Sequence, residues 1–121
     1  MRTSWGLSGL GLALLVVVGV ATWALATPQA GTPFKALYGA PKEGTDLARA
    51  MPCMVCHTAM PPTKTNLNPY GVDLQKAAKG TLNEAAFKAV EALDSDKDTF
   101  KNLDEIKAGT LPGDAKSKPK K

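Results

Sequence analysis

The stretch Cys53-Met54-Val55-Cys56-His57 decides how this chain folds, because it contains both cysteines and the single histidine of the sequence. The C-x-x-C-H spacing is typical of covalent attachment of c-type haem. Within one helical turn, two thiols can reach the two vinyl groups on one edge of a porphyrin. The next residue can then place its imidazole under the iron. The motif therefore predicts one covalently attached haem c at this segment.

Three other interpretations of the same spacing compete with haem attachment. A disulfide oxidoreductase also carries C-x-x-C, but it needs a thioredoxin-like sheet, and no stretch after residue 26 shows the alternation of a strand. A structural disulfide would close a loop too small to stabilise the fold much. A zinc site needs four ligands, and the chain has no second Cys/His pair.

The N-terminal region has the pattern of an export signal. Arg2 precedes an apolar run over residues 7–26, which ends in the small-x-small sequence Ala24-Leu25-Ala26. Residues 1–26 are therefore predicted to be a signal peptide. An uncleaved membrane anchor is the alternative, because residues 5–26 are long enough to cross a bilayer and would then make membrane contact. Both alternatives predict a periplasmic or extracellular location for the rest of the chain.

The part of the chain after residue 26 is small and poor in large apolar residues. Removing residues 1–26 would leave 95 of the 121 residues, enough for one small domain. A domain of this kind usually needs a cofactor or covalent link to supply part of its core. This composition excludes a multidomain enzyme, and a buried haem would provide the missing apolar core. The remaining aromatic residues are Phe34, Tyr38, Tyr70, Phe87 and Phe100.

Helix signals dominate the sequence and predict an all-α, haem-centred domain over residues 45–114. Thr45 is expected to cap a helix over 46–51, and Asn68-Pro69 to open one that runs to Lys79. A capping box, Thr81 to Glu84, predicts a helix over 82–93. Leu103 and Ile106 predict one more short helix, which is expected to end at Gly109. A turn over 111–114 is predicted to follow it.

The two ends of the mature region are predicted to be irregular. Residues 27–44 are interpreted as a linker and a short N-terminal segment, with an apolar turn over 34–38. Residues 115–121 are interpreted as a disordered basic tail, or as a docking arm for an acidic partner or membrane surface. The formal net charge is +4, but an acidic cluster offsets the basic tail, and no basic patch is interleaved with aromatic residues. Nucleic-acid binding is therefore not expected.

The motif and its surroundings resemble the small secreted monohaem c-type cytochromes of bacteria. The resemblance is carried by residues 53–57, by Pro61-Pro62 and by the element Asn68-Pro69-Tyr70-Gly71. It implies a cytochrome c-like fold with Cys53 and Cys56 as thioethers and His57 as the proximal iron ligand. It also implies an electron-transfer protein that meets redox protein partners and is not itself an enzyme.

The sixth iron ligand is left open by the sequence. Electron-carrying cytochromes usually have His/Met or His/His ligation, and the chain has no second histidine. Met60 is one candidate and Met51 another. An open or weakly ligated site, with water, Tyr70, Asn or Lys, is the alternative, as is a ligand from a partner chain. A haem sensor or gas binder, or a structural cytochrome subunit of a larger electron-transfer complex, therefore competes with an exported cytochrome that carries single electrons between redox partners.

Residues 94–105 match the spacing of a twelve-residue EF-hand-like calcium loop. Calcium takes six to eight oxygen ligands, which alternating side chains on a tight loop can supply. Thr99 stands where such loops usually carry glycine, and no second hand follows, so a single, truncated loop is expected. A solvated acidic surface is the alternative. The predicted calcium ligands are Asp94, Asp96, Asp98, the Phe100 carbonyl, Asn102 and the bidentate Glu105.

Overall fold

A computed structural model describes residues 31–120 and shows an all-α domain over that range. The signal peptide or anchor predicted for residues 1–26 lies outside the described residues. Between residues 31 and 120 the chain forms no β-strand, only an isolated antiparallel bridge between His57 and Leu67. No helix in this range is long and apolar enough to cross a membrane. The helices are α1 Gly31–Tyr38, α2 Asp46–Ala50, α3 Pro69–Ala78, α4 Glu84–Val90 and α5 Asn102–Ala108.

Three helix ends lie where their local signals predict them. The side chain of Thr45 accepts a hydrogen bond from the Ala48 N–H and begins α2. The side chain of Asn68 accepts from the Gly71 N–H and begins α3, with proline in the first turn. Gly109 ends α5 in the left-handed region at φ +79°. The two side-chain caps satisfy N–H groups that a helix leaves without partners, and the Gly109 N–H satisfies carbonyl groups of the last turn of α5. Short-range sequence is therefore enough to place all three ends.

Helix α1 is a correction to the prediction of a linker followed by an apolar turn. The ring of Phe34 is buried and lies edge-on to Tyr38 and Phe87, with ring centroids 4.9 and 5.7 Å apart. Contacts of this kind with α4 stabilise a helix for which residues 31–38 alone carry little signal.

Helix α4 is shorter at both ends than the predicted 82–93. Asn83, rather than Thr81, caps it by accepting from the Ala86 N–H. After Val90 the chain turns away, and the carbonyl of Leu93 accepts from the Asn102 N–H at 2.8 Å. That bond to α5 replaces a further helical turn and leaves the Leu93 side chain 44% exposed.

The core lies where α1, α3 and α4 meet, with α3 packed against α4. Tyr70 and Leu74 of α3 are buried as predicted. The chain beyond residue 114 is also partly packed, because the buried Ser117 donates to the Asp46 carboxylate at 2.6 Å. Order therefore extends into the tail that was predicted to be disordered. The buried apolar residues are Phe34, Leu47, Ala50, Val55, Tyr70, Leu74, Ala86, Phe87, Val90 and Ile106.

Candidate functional site

The Cys–His segment, residues 53–57, lies in a series of turns between α2 and α3. The N–H groups of Cys56 and His57 both donate to the Cys53 carbonyl, at 3.2 and 3.1 Å. This tight turn brings the two cysteines and the histidine together. Both cysteines are free thiols and are partly buried.

Helix α3 holds the Cys–His segment from one side. The Asn68 amide donates to the Val55 carbonyl at 2.9 Å, and the Asn68 N–H donates to the Cys56 carbonyl at 2.9 Å. Gly71 lies so close to this segment that a Cβ atom there would collide with the Cys56 carbonyl oxygen. The Asn-Pro-Tyr-Gly element therefore supports the segment through its cap and through its glycine.

The orientation of His57 is set by Asn66. The Nδ1 atom of His57 lies 2.8 Å from the Asn66 side-chain oxygen. The amide nitrogen of Asn66 donates to the carbonyls of Ala59 and Pro61, so its oxygen faces the imidazole. An amide oxygen can only accept a hydrogen bond, so Nδ1 of His57 carries the proton and donates it. The neutral ring then has its lone pair on Nε2, the arrangement required of a metal-binding histidine.

A cleft of about 640 Å³ opens beside the Cys–His segment. This volume is within the roughly 300 to 1,000 Å³ typical of cofactor sites. Cys56 and His57 line the cleft, whereas Cys53 is not among its lining residues. Burial, with a smaller effect of Cys53, raises the pKa of the Cys56 thiol to about 12. The apolar part of the lining consists of Pro62, Leu67, Gly71, Leu74, Ala78, Gly80 and Leu82.

Neither methionine proposed as a sixth ligand lines this cleft. Met60 is 61% exposed. Met51 lines a different cleft, together with Gly31 and Pro52. Tyr70 is fully buried, and its hydroxyl has no hydrogen-bond partner. The other polar side chains that line the Cys–His cleft are Thr63, Lys64 and Gln75.

The acidic loop, residues 94–105, follows α4 and includes the first turn of α5. The Asp94 carboxylate stabilises a tight turn of the backbone, because it accepts hydrogen bonds from the N–H groups of Asp98 and Thr99. Carboxylate oxygens of Asp94, Asp96 and Asp98 lie within 4.8 Å of one another. Thr99, at the position where such loops usually have glycine, has φ +85°, a strained value for a β-branched residue. The loop therefore adopts a tight turn despite the missing glycine.

Glu105, the last residue of the acidic loop, is fully buried, and neither of its carboxylate oxygens has a hydrogen-bond partner. Burial, followed by repulsion from Asp96 and Asp98, raises the pKa of Glu105 to about 9. Burial and Asp98 raise the pKa of Asp96 to about 6. Carboxylates buried near each other without partners favour a bound cation, which would offset both effects.

Two other predicted calcium ligands are placed differently from the carboxylates. The Asn102 amide is fully buried and donates to the Val90 carbonyl and to Ser95 Oγ. Its side chain therefore holds the two ends of the loop together. The N–H of Phe100 donates to the Asp98 carboxylate at 2.9 Å.

Comparison with models of known protein families, with curated proteins and with solved structures found no significant match. The two candidate sites are therefore interpreted from their own residues. The structure brings Cys56 and His57 to one cleft and Asp94, Asp96 and Asp98 to one loop. Sequence reasoning missed Asn66 and named Gly71 only as part of the Asn-Pro-Tyr-Gly element, without its close approach to Cys56.

Proposed function

We propose that this chain is an exported monohaem c-type cytochrome that carries single electrons between redox protein partners. The observation that carries the proposal is the apolar cleft lined by Cys56 and His57, with the Nδ1 atom of His57 tied to Asn66. When bound, haem supplies the one-electron couple of its iron. The protein would supply attachment, orientation and an apolar environment.

Each part of the Cys–His segment has a role in this proposal. Cys53 and Cys56 would form the two thioethers to the haem. His57 would offer Nε2 as the proximal ligand, held in one orientation by Asn66. The leucine side chains of the cleft would exclude water from the iron.

The absence of a sheet favours haem attachment over disulfide exchange. A thioredoxin-like redox site is expected beside a β-sheet, and no strand is present between residues 31 and 120. The described part of the chain therefore lacks the scaffold of a thioredoxin-like site.

A haem sensor or gas binder is the second candidate function, and the cleft lining favours it specifically. Among the described residues, no methionine lines the Cys–His cleft, and His57 is the single histidine of the sequence. An iron held by His57 and no strong sixth ligand would bind small gases.

One set of measurements tests both candidates. The chain is expressed in a host with the c-type haem maturation system, and its intact mass is measured after acid–organic extraction. We expect one retained haem in the wild type, none in the variant with both Cys53→Ala and Cys56→Ala, and one in the control Met54→Ala. A fully extractable haem in the wild type would falsify covalent attachment. Rapid carbon monoxide binding by the reduced protein would favour the gas binder over the electron carrier.

A further inference from the structure

The acidic loop contacts helix α3 through one hydrogen bond. Ser95, which lies between two acidic residues of the loop, donates its hydroxyl hydrogen to the Asp73 carboxylate of α3 at 2.8 Å. The same helix supplies Gly71, Leu74, Gln75 and Ala78 to the wall of the Cys–His cleft. The loop and the cleft therefore share one helix as a common support.

Ser95 is itself held by the far end of the loop. The Asn102 amide donates to Ser95 Oγ at 2.9 Å, and the Asn102 side-chain oxygen accepts from the Ser95 N–H at 3.2 Å. Asn102 also donates to the Val90 carbonyl at the end of α4. Asn102 is fully buried, its bond to the Val90 carbonyl is buried, and its bonds to Ser95 are partly buried. Together with the Ser95–Asp73 bond they link both ends of the loop to Asp73.

Two independent observations indicate a cation in the loop. Oxygens of Asp94, Asp96 and Asp98 lie within 4.8 Å of one another. In addition, Glu105 is fully buried and its two carboxylate oxygens lack hydrogen-bond partners. The three aspartates lie close enough to repel its negative charge. A divalent ion would remove the repulsion that opposes the compact loop. Calcium is the favoured ion because it accepts several carboxylates in flexible geometry, whereas magnesium keeps most of its water.

We propose that the acidic loop binds calcium and that the bound ion, through Ser95 and Asp73, fixes α3 and with it the wall of the Cys–His cleft. Calcium closes the loop around Ser95, and Ser95 then holds the Asp73 carboxylate in place. The consequence for a haem in the cleft rests on the proposed function. The relay, meaning the link from the acidic loop through Ser95 and Asp73 to α3, does not depend on the proposed function.

Hydrogen exchange of the full mature chain, measured with calcium and with chelator, tests the relay. In the wild type, millimolar calcium is expected to slow exchange in the loop and, by about tenfold, in α3, as one hydrogen bond to a charged group allows. Ser95→Ala should keep the calcium effect on the loop and lose it on α3. Asp73→Ala, which removes the acceptor from the other side, should behave in the same way.

Lys76→Ala is the matched control. Lys76 pairs with Asp73 at 3.7 Å on the same helix, but its removal leaves the bond from Ser95 in place. This variant should therefore keep the calcium effect on α3. No calcium binding at millimolar concentration, or equal α3 protection in wild type and Ser95→Ala, would overturn the inference.

The outcome is separable from that of the proposed function. The intact mass of the same sample reports haem attachment independently of calcium. A chain without covalent haem would contradict the electron carrier, while the exchange of α3 would still decide the relay. A haem protein whose α3 ignores calcium would contradict the relay alone.

Discussion

The Nδ1 atom of His57 lies 2.8 Å from the side-chain oxygen of Asn66, nine residues further along the chain. The Asn66 amide is fixed in turn by the Ala59 and Pro61 carbonyls, so the whole loop between the two residues orients one imidazole. Such a partner determines the tautomer of a metal-binding histidine and increases its basicity. A substitution of Asn66 is therefore expected to change the properties of His57.

Asn66→Leu is expected to raise the reduction potential of the proposed haem-bound form and to destabilise the loop between His57 and Asn66 by about 1 kcal/mol per lost hydrogen bond. Without the Asn66 acceptor, the His57 imidazole donates less electron density to the iron, which favours the reduced iron. Potentiometric titration measures the first effect and chemical denaturation the second. Thr58→Ala is the control, because Thr58 contacts only the backbone carbonyl of Asn66 through its hydroxyl. An unchanged potential in Asn66→Leu would contradict this role.

Gly71→Ala is expected to destabilise the domain by about 2 kcal/mol, because the new methyl group would press on the Cys56 carbonyl oxygen. The backbone of α3 would have to move away from the Cys–His segment, so the yield of haem-loaded protein should also fall. Thermal denaturation and the haem content per chain measure the two effects. The neighbouring Val72→Ala, at a position 37% exposed, should change both little.

Calcium at ten times its dissociation constant is expected to stabilise the folded chain by about 1.4 kcal/mol. For a domain of this size that corresponds to a rise of several degrees in Tm. Glu105→Gln should abolish the rise, because the bidentate carboxylate is lost, while the visible absorption spectrum stays nearly unchanged. Glu84→Gln, at an exposed position of α4 that pairs with Lys88, should keep the rise. A Tm that responds to neither calcium nor chelator would demote the loop to a solvated acidic surface.

In chelator, the free energy of unfolding is expected to fall as the pH rises between about 4.5 and 9. The pKa of Glu105 is raised from 4.5 to about 9 in the folded chain, so the folded state holds a proton that the unfolded state has released. Asp96, whose pKa rises from 3.8 to about 6, acts with the same sign at lower pH. Denaturation of wild type and Glu105→Gln from pH 6 to 9 measures the effect. The variant should show a clearly flatter profile, and parallel profiles would refute the assignment.

The sequence by itself determined the features that depend on neighbouring residues. The caps at Thr45 and Asn68 and the stop at Gly109 lie where predicted, because each satisfies backbone groups within its own helix turn. The all-α class followed from the same local signals. Likewise, the spacing of Asp94, Asp96 and Asp98 was enough to predict that their carboxylates converge.

Only the tertiary structure decided the features that depend on distant contacts. Helix α1 forms because Phe34 packs on Phe87, far along the chain. The buried position of Glu105 beside three carboxylates, and the bond from Ser95 to Asp73, required α3, α4 and α5 to be packed together. Such contacts stabilise a residue through partners that no short window of sequence contains. Local pattern therefore determined the helix ends at Thr45, Asn68 and Gly109. Packing determined the ends of α4 and which side chains lose water and meet.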